Sequence, residues 1–240
     1  MENPTYASVL KEYFTRYLIE VRGVEKSVKH YTGALNSASE RLKELGIVEN
    51  DIFELSDIND LKAAVDILRN DEFAAKDSKG HNMYSVGLNH YLRFAEGEGF
   101  AEAKDKIALF DAPIAPGDAI ATNQTSFNRS NILRLQAIEF AGYSCEMDNE
   151  HKTFIAEATQ KPYMEGHHAM PMNLQGSFDV SLDVYANIIC LCPLCHRRIH
   201  YGIKNDRKDM ISQIYDKRSE RLAHSGIYLS KDEFIGKAIG

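Results

Sequence analysis

Apolar residues recur at helical spacing through the first hundred positions. Tyr6, Val9, Leu10, Tyr13, Phe14 and Tyr17 predict a helix over about 4–22. Gly23 breaks it, and Val28, Tyr31, Leu35, Ala38, Leu42 and Leu45 predict a second over about 25–45. Ile58, Leu61, Val65 and Leu68 predict a third, with Ser56 placed to cap it. A loop containing "KDSKGHN" follows, then a fourth helix over about 82–95 with Tyr84, Leu88, Tyr91 and Leu92 on one face. "EGEGF" closes this all-helical N-terminal domain, expected to span residues 1–98. Residues 99–126 carry prolines and small residues with weak periodicity, and are expected to be a linker. Ile132, Leu133, Leu135, Ile138 and Phe140 then predict a helix ended by Gly142.

From position 143 the pattern changes. "KPYMEGHH" reads as a strand ending at a histidine pair, and "NIICL" as a short β-branched strand. "MNLQGSFDVSLDVYAN" between them is irregular, and "CHRRIHYG" opens a helix closed near Gly202. The fold class expected is α+β: a helical N-terminal domain, then a domain over 127–240 that mixes short strands with helices.

The net charge of −7 argues mildly against a wholly nonspecific nucleic-acid binder. Its distribution changes that picture. Lys and Arg number 12 against 17 acidic residues in 1–100 and 6 against 12 in 101–195, but 10 against 6 in 196–240. The one basic region starts directly after "LCPLCH", and a local basic patch can hold a phosphate backbone while the whole chain stays acidic. No apolar run is long enough to span a bilayer, and the N-terminus lacks the plan of a signal peptide, so a cytoplasmic protein with no membrane partner is expected.

All four cysteines, Cys145, Cys190, Cys192 and Cys195, and five of the nine histidines lie between 145 and 200. In a cytosolic protein such clustering favours metal over disulfides. "CPLC" is a knuckle that aims two thiolates at one ion. Cys192, Cys195 and Cys145 are expected to hold one structural Zn2+. The fourth ligand is open among His151, Asp148 and Cys190, with His151 preferred. His196 and His200 sit four apart, on one helix face, able to grip a second ion. His167 and His168 point to opposite sides of a strand, which suits one histidine as ligand and the other as general base.

"YMEGHHAMPM…NIICLCPLCHRRIHYG" resembles the HNH endonuclease module, the ββα-metal fold, in its zinc-knuckle subgroup that includes bacterial restriction endonucleases. The resemblance covers about residues 143–203, in the order E-x-H-H-x-x-P then N-x(4)-C-x2-C-H-x3-H; the usual first C-x2-C is altered to "CEMD". It implies that His168 is the general base, that His167, His196 and His200 hold a catalytic divalent ion (Mg2+, Mn2+ or another transition metal), and that Asn187 braces the loop and so orients His168. It implies phosphodiester hydrolysis to a 5′-phosphate and a 3′-hydroxyl. Glu165 either orients a ligand or is a surface charge. Arg197, Arg198, Lys204, Arg207 and Lys208 flank the site and are expected to contact DNA. The function expected is a metal-dependent DNA endonuclease in restriction or phage defence, with DNA as partner, room for a homodimer and no small-molecule substrate. The alternatives are a non-catalytic zinc-stabilised DNA-binding module and a homing or recombination-type HNH nuclease.

Overall fold

The computed structural model describes residues 3–79, 82–117, 119–120, 126–127 and 129–239. The chain folds as two compact units. The first, Thr5–Ala108 with Ser130–Ile132, is helical. Its helices are α1 (Tyr6–Glu20), α2 (Val28–Glu44), α3 (Ile58–Asn70), α4 (Glu72–Lys79) and α5 (Met83–Glu96). The expected apolar stripes converge on an aromatic core of Tyr13, Phe14, Tyr17, Phe53, Tyr91, Phe94 and Phe100, all fully buried. Most of the rings meet edge-on or tilted, as in Phe53–Tyr91 at 4.6 Å and Tyr13–Phe94 at 5.4 Å and 79°, while Phe14–Tyr17 and Tyr91–Phe94 stack. Such pairs add about 0.5–1.5 kcal/mol each beyond their buried area. Gly87 lets α5 cross close to α2, since a Cβ there would lie 2.9 Å from the Ala34 Cβ.

Two local expectations change. Asp57, not Ser56, caps α3, accepting from the Asn59 amide at 2.7 Å. The Ser56 carbonyl instead accepts from the Ile132 amide. The stretch read as a loop from Lys76 is helical as far as Lys79, while 80 and 81 lie outside the described residues. The reason is that Asp77 closes the turn from within α4: its carboxylate accepts the Tyr84 and Ser85 amides at the start of α5. Of residues 99–126, Phe100, Ala103 and Ile107 are buried in the helical unit, and Leu109 and Ile114 in the second.

The second unit comprises Leu109–Arg129 and Leu133–Gly240 with Met1–Pro4. It holds a two-stranded antiparallel sheet of β1 (Ala119–Ile120) and β2 (Ser126–Phe127), most of α6 (Asn131–Ala141), and a second antiparallel pair of β3 (Glu165–His168) and β4 (Ile188–Leu191). α7 (Pro193–Tyr201), α8 (Lys204–His224) and α9 (Lys231–Ile239) follow. Gly142 ends α6 at φ 68°, where the Tyr143 amide closes on the Ile138 carbonyl. β4 is buried on both faces, as its unbroken apolar run requires. The class is α+β, helix-rich with small sheets. Among the described residues, no helix is long and apolar enough to cross a membrane.

Candidate active site

β3 pairs with β4 so that His167 faces Ile189 in register and His168 faces Ile188. The chain then turns directly into α7. Pro193 occupies the first turn, where its missing N–H costs nothing, and the Cys192 thiol caps the helix by accepting the Cys195 amide at 3.4 Å. The helix ends at Gly202, whose backbone turns extended at φ −63° and ψ 163°; a Cβ there would lie 2.6 Å from the Arg198 carbonyl oxygen, so glycine fits. This helix carries His196 and His200 on one face, with their Nε2 atoms 3.2 Å apart. The strand pleat sends His167 to the same place: its ring lies 5.2 Å from His196 and 4.8 Å from His200 between centroids. One nitrogen from each of the three lies within 4.8 Å of the others.

The electrostatics of His167 and His200 favour lone pairs over protons. Burial pushes the His167 imidazole down to about 3, and the neighbouring His196, His200 and His168 add to the effect. His200 is lowered by burial and by His196. His196 sends Nδ1 to the Glu165 carboxylate at 2.5 Å, so Nδ1 carries the proton and Nε2 presents its lone pair to the triad. Imidazole nitrogens converging this closely fit a divalent transition metal, which imidazole accepts readily.

His168 points the other way. Its Nε2 lies 2.7 Å from Asp183 Oδ1, and both side chains are about nine-tenths buried, at 12% and 10% exposure. In the tautomer that donates from Nε2 to this carboxylate, Nδ1 is the nitrogen with the lone pair. Asn187 is fully buried and spends its amide on the loop: Oδ1 accepts from the Met170 amide at 2.7 Å, and Nδ2 donates to the Met170 and Leu182 carbonyls. It thus ties the residues after His168 to the residue before Asp183.

The second group joins Cys145, His151, Cys192 and Cys195, with ligand atoms within 4.8 Å of one another. His151 Nδ1 lies 3.5 Å from Cys192 Sγ and 3.4 Å from Cys195 Sγ. Its Nε2 faces Asp148 at 3.5 Å, so Asp148 borders His151 rather than joining the group. Burial raises the Cys145 thiol, but hydrogen bonds from the Cys192, Asp148 and Met147 amides and from His151 outweigh it and bring it down to about 7. "CEMD" therefore folds as a knuckle with one thiol and a histidine. Three thiols and an imidazole are a tetrahedral zinc donor set, and this cluster could bind a structural zinc. Cys190 is buried in β4 outside the group, and burial raises its thiol strongly.

Of the basic residues, Arg197, Arg198, Lys204 and Lys208 are exposed. Arg198 pairs with Asp206 at 3.2 Å, and Arg207 donates to the Ile239 carbonyl. The sequence pattern passed over Asp183 and Glu146. Asp183 interrupts the apolar run "VSLDVYANIICL", a charge that burial makes costly unless it has a partner; that interruption was the available signal. Glu146 accepts from the Cys190 amide at 2.8 Å and pairs with the buried Arg218 of α8.

Part of the chain is similar to a restriction enzyme. Over 54 residues it is 37% identical to the type IV methyl-directed restriction enzyme EcoKMcrA of Escherichia coli (strain K12). The matched stretch is 22% of this chain and 17% of that enzyme's length, so the chain spans only a small part of the relative. No family model and no solved structure matches.

Proposed function

We propose that the chain is a metal-dependent DNA endonuclease of restriction type, whose catalytic unit is an HNH module. The observation that carries this reading is the split of one dipeptide. His167 joins His196 and His200, while His168, on the opposite face of β3, is held by Asp183. A zinc-stabilised binding module has no use for that division.

In this reading His167, His196 and His200 hold the catalytic ion, and Glu165 fixes the tautomer of His196. The ion, when bound, would stabilise the charge that builds on the phosphate and on the departing 3′ oxygen. His168 takes a proton from water at Nδ1 as the water attacks phosphorus. Asp183 keeps the ring turned and supports the positive charge it gains. Asn187 holds the two loops that carry this pair in place. The products are a 5′-phosphate and a 3′-hydroxyl. Cys145, His151, Cys192 and Cys195 hold the structural zinc that joins the 145–151 loop to the start of α7. Arg197, Lys204 and Lys208 contact backbone phosphates, and the helical domain, 1–98, serves recognition, dimerisation or docking.

The test is cleavage of end-labelled DNA, with and without base methylation, by the native protein and by Asp183→Asn. Native cleavage should leave ends that DNA ligase rejoins, and Asp183→Asn should lose about 10²–10⁴-fold in rate, the worth of a positioned general base. Ends carrying a 3′-phosphate, or an unchanged rate in the variant, would contradict the assigned roles.

A further inference from the structure

Residues 151–163 form an arm between the Cys/His group and β3. Ile155 bridges Pro162, and the Tyr163 amide donates to the Phe154 carbonyl at 2.8 Å. Across this ladder the Phe154 and Tyr163 rings stack, 4.8 Å apart and 15° from parallel. The pair is not core: Phe154 is 63% exposed and Ile155 beside it 58%. Yet it is tied to the metal triad. The Tyr163 hydroxyl donates to Glu165 Oε1 at 3.2 Å, and Glu165 Oε2 holds His196. The ring therefore sits two hydrogen bonds from a metal-ligating histidine. The aromatic pair and the histidine triad are thus joined in one hydrogen-bonded surface. Arg134 lays its aliphatic stem over Gly166 of β3, and its side chain is exposed, as is that of Arg197 on α7. An exposed aromatic face on the arm, with exposed arginines on the neighbouring α6 and α7, complements a base and its flanking phosphates.

We propose that the Phe154–Tyr163 pair is a stacking platform for an unstacked nucleobase beside the scissile phosphate, with Arg134 and Arg197 on the adjoining phosphates. The proposal rests on the nuclease reading. It adds that the preferred substrate has a base free to leave the helix, in a single strand, a flap or a mismatch. Bases inside an intact duplex offer no face to such a platform, so the benefit falls on single-stranded DNA and on sites where unstacking is cheap.

The experiment uses the full chain carrying His168→Ala, so that DNA survives, and oligonucleotides labelled with 2-aminopurine. Phe154→Ala in that background should weaken single-strand binding roughly 5- to 150-fold, the range of one lost base stack, and abolish the 2-aminopurine quench. Duplex affinity should change little. Phe154→Trp should restore both signals, which loss of folding in the alanine variant would not allow. Equal single-strand affinities for native and Phe154→Ala surfaces would overturn the platform. So would a Phe154→Ala effect confined to self-association in sedimentation, which would make the pair a protein interface. Native protein that cuts DNA with rates indifferent to Phe154 defeats the platform alone; native protein that neither binds nor cuts DNA defeats the nuclease reading with it.

Discussion

Removing the Glu146 carboxylate should unbolt the candidate zinc group from the helix behind it. Glu146 follows Cys145 in sequence and joins three elements. Its amide donates to the Cys190 carbonyl at 2.9 Å, and its Oε1 accepts the Cys190 amide at 2.8 Å. Its Oε2 receives the guanidinium of Arg218, whose side chain is 8% exposed. Glu146→Ala would leave that guanidinium buried without its counter-charge and orphan the Cys190 amide. Breaking one side of a buried pair costs about 3–5 kcal/mol. Glu146 itself is 25% exposed, so water reaches part of the gap, and the lower end, about 3 kcal/mol, is expected. That is a large share of a domain's usual stability of about 5–15 kcal/mol. The assay is urea denaturation of zinc-saturated protein, followed by circular dichroism, for Glu146→Ala and for the double variant Glu146→Leu with Arg218→Met. The double variant should recover most of the loss, because no buried charge remains. A Glu146→Ala loss under about 1 kcal/mol, or a double variant as unstable as the single, would refute the reasoning.

Three further outcomes are expected. Cys195→Ser should lower the zinc content of purified protein from one ion per chain and lower its melting temperature, read by metal analysis and calorimetry; full zinc content would remove Cys195 from the ligand set. Neutralising Arg197, Lys204 and Lys208 together should reduce the slope of log Kd against log salt for duplex DNA by up to about three, and an unchanged slope would place them away from phosphates. His90 is held below its ordinary value, first by burial and then by Arg22 and Arg93, so it folds neutral while the unfolded chain binds its proton. Its contribution to stability is complete above about pH 6.5 and is lost as pH falls from there toward its folded value. His90→Gln should therefore lose less melting temperature than the native protein between about pH 7 and pH 5, and equal losses would contradict that sign.

The residues with strict local periods were legible in the sequence. α1, α2, α3 and α5 follow from apolar residues every three or four positions, and the approach of His196 to His200 follows from the same period. The opposed directions of His167 and His168 follow from the pleat of a strand. What a sequence pattern does not carry is partnership across distance. Asp183 meets His168 from fifteen residues away, and Arg218 meets Glu146 from seventy-two, through an irregular loop and a late helix whose placement no local period encodes. Polar residues 76–79 read as a loop by composition, yet Asp77 uses its charge to close the turn onto the next helix. Tyr163 reads as an ordinary aromatic of the "KPYMEGHH" strand, and nothing local pairs it with Phe154; only their exposure together distinguishes them.

The central claim is that His168 is a base beside a metal held by His167, His196 and His200. Its most direct test is cleavage of supercoiled plasmid, methylated and unmethylated, with Mg2+ or Mn2+, by the native protein beside His168→Ala at equal zinc content and equal melting temperature. Nicked or linear products from the native protein alone are expected. Equal cleavage by both proteins would contradict it.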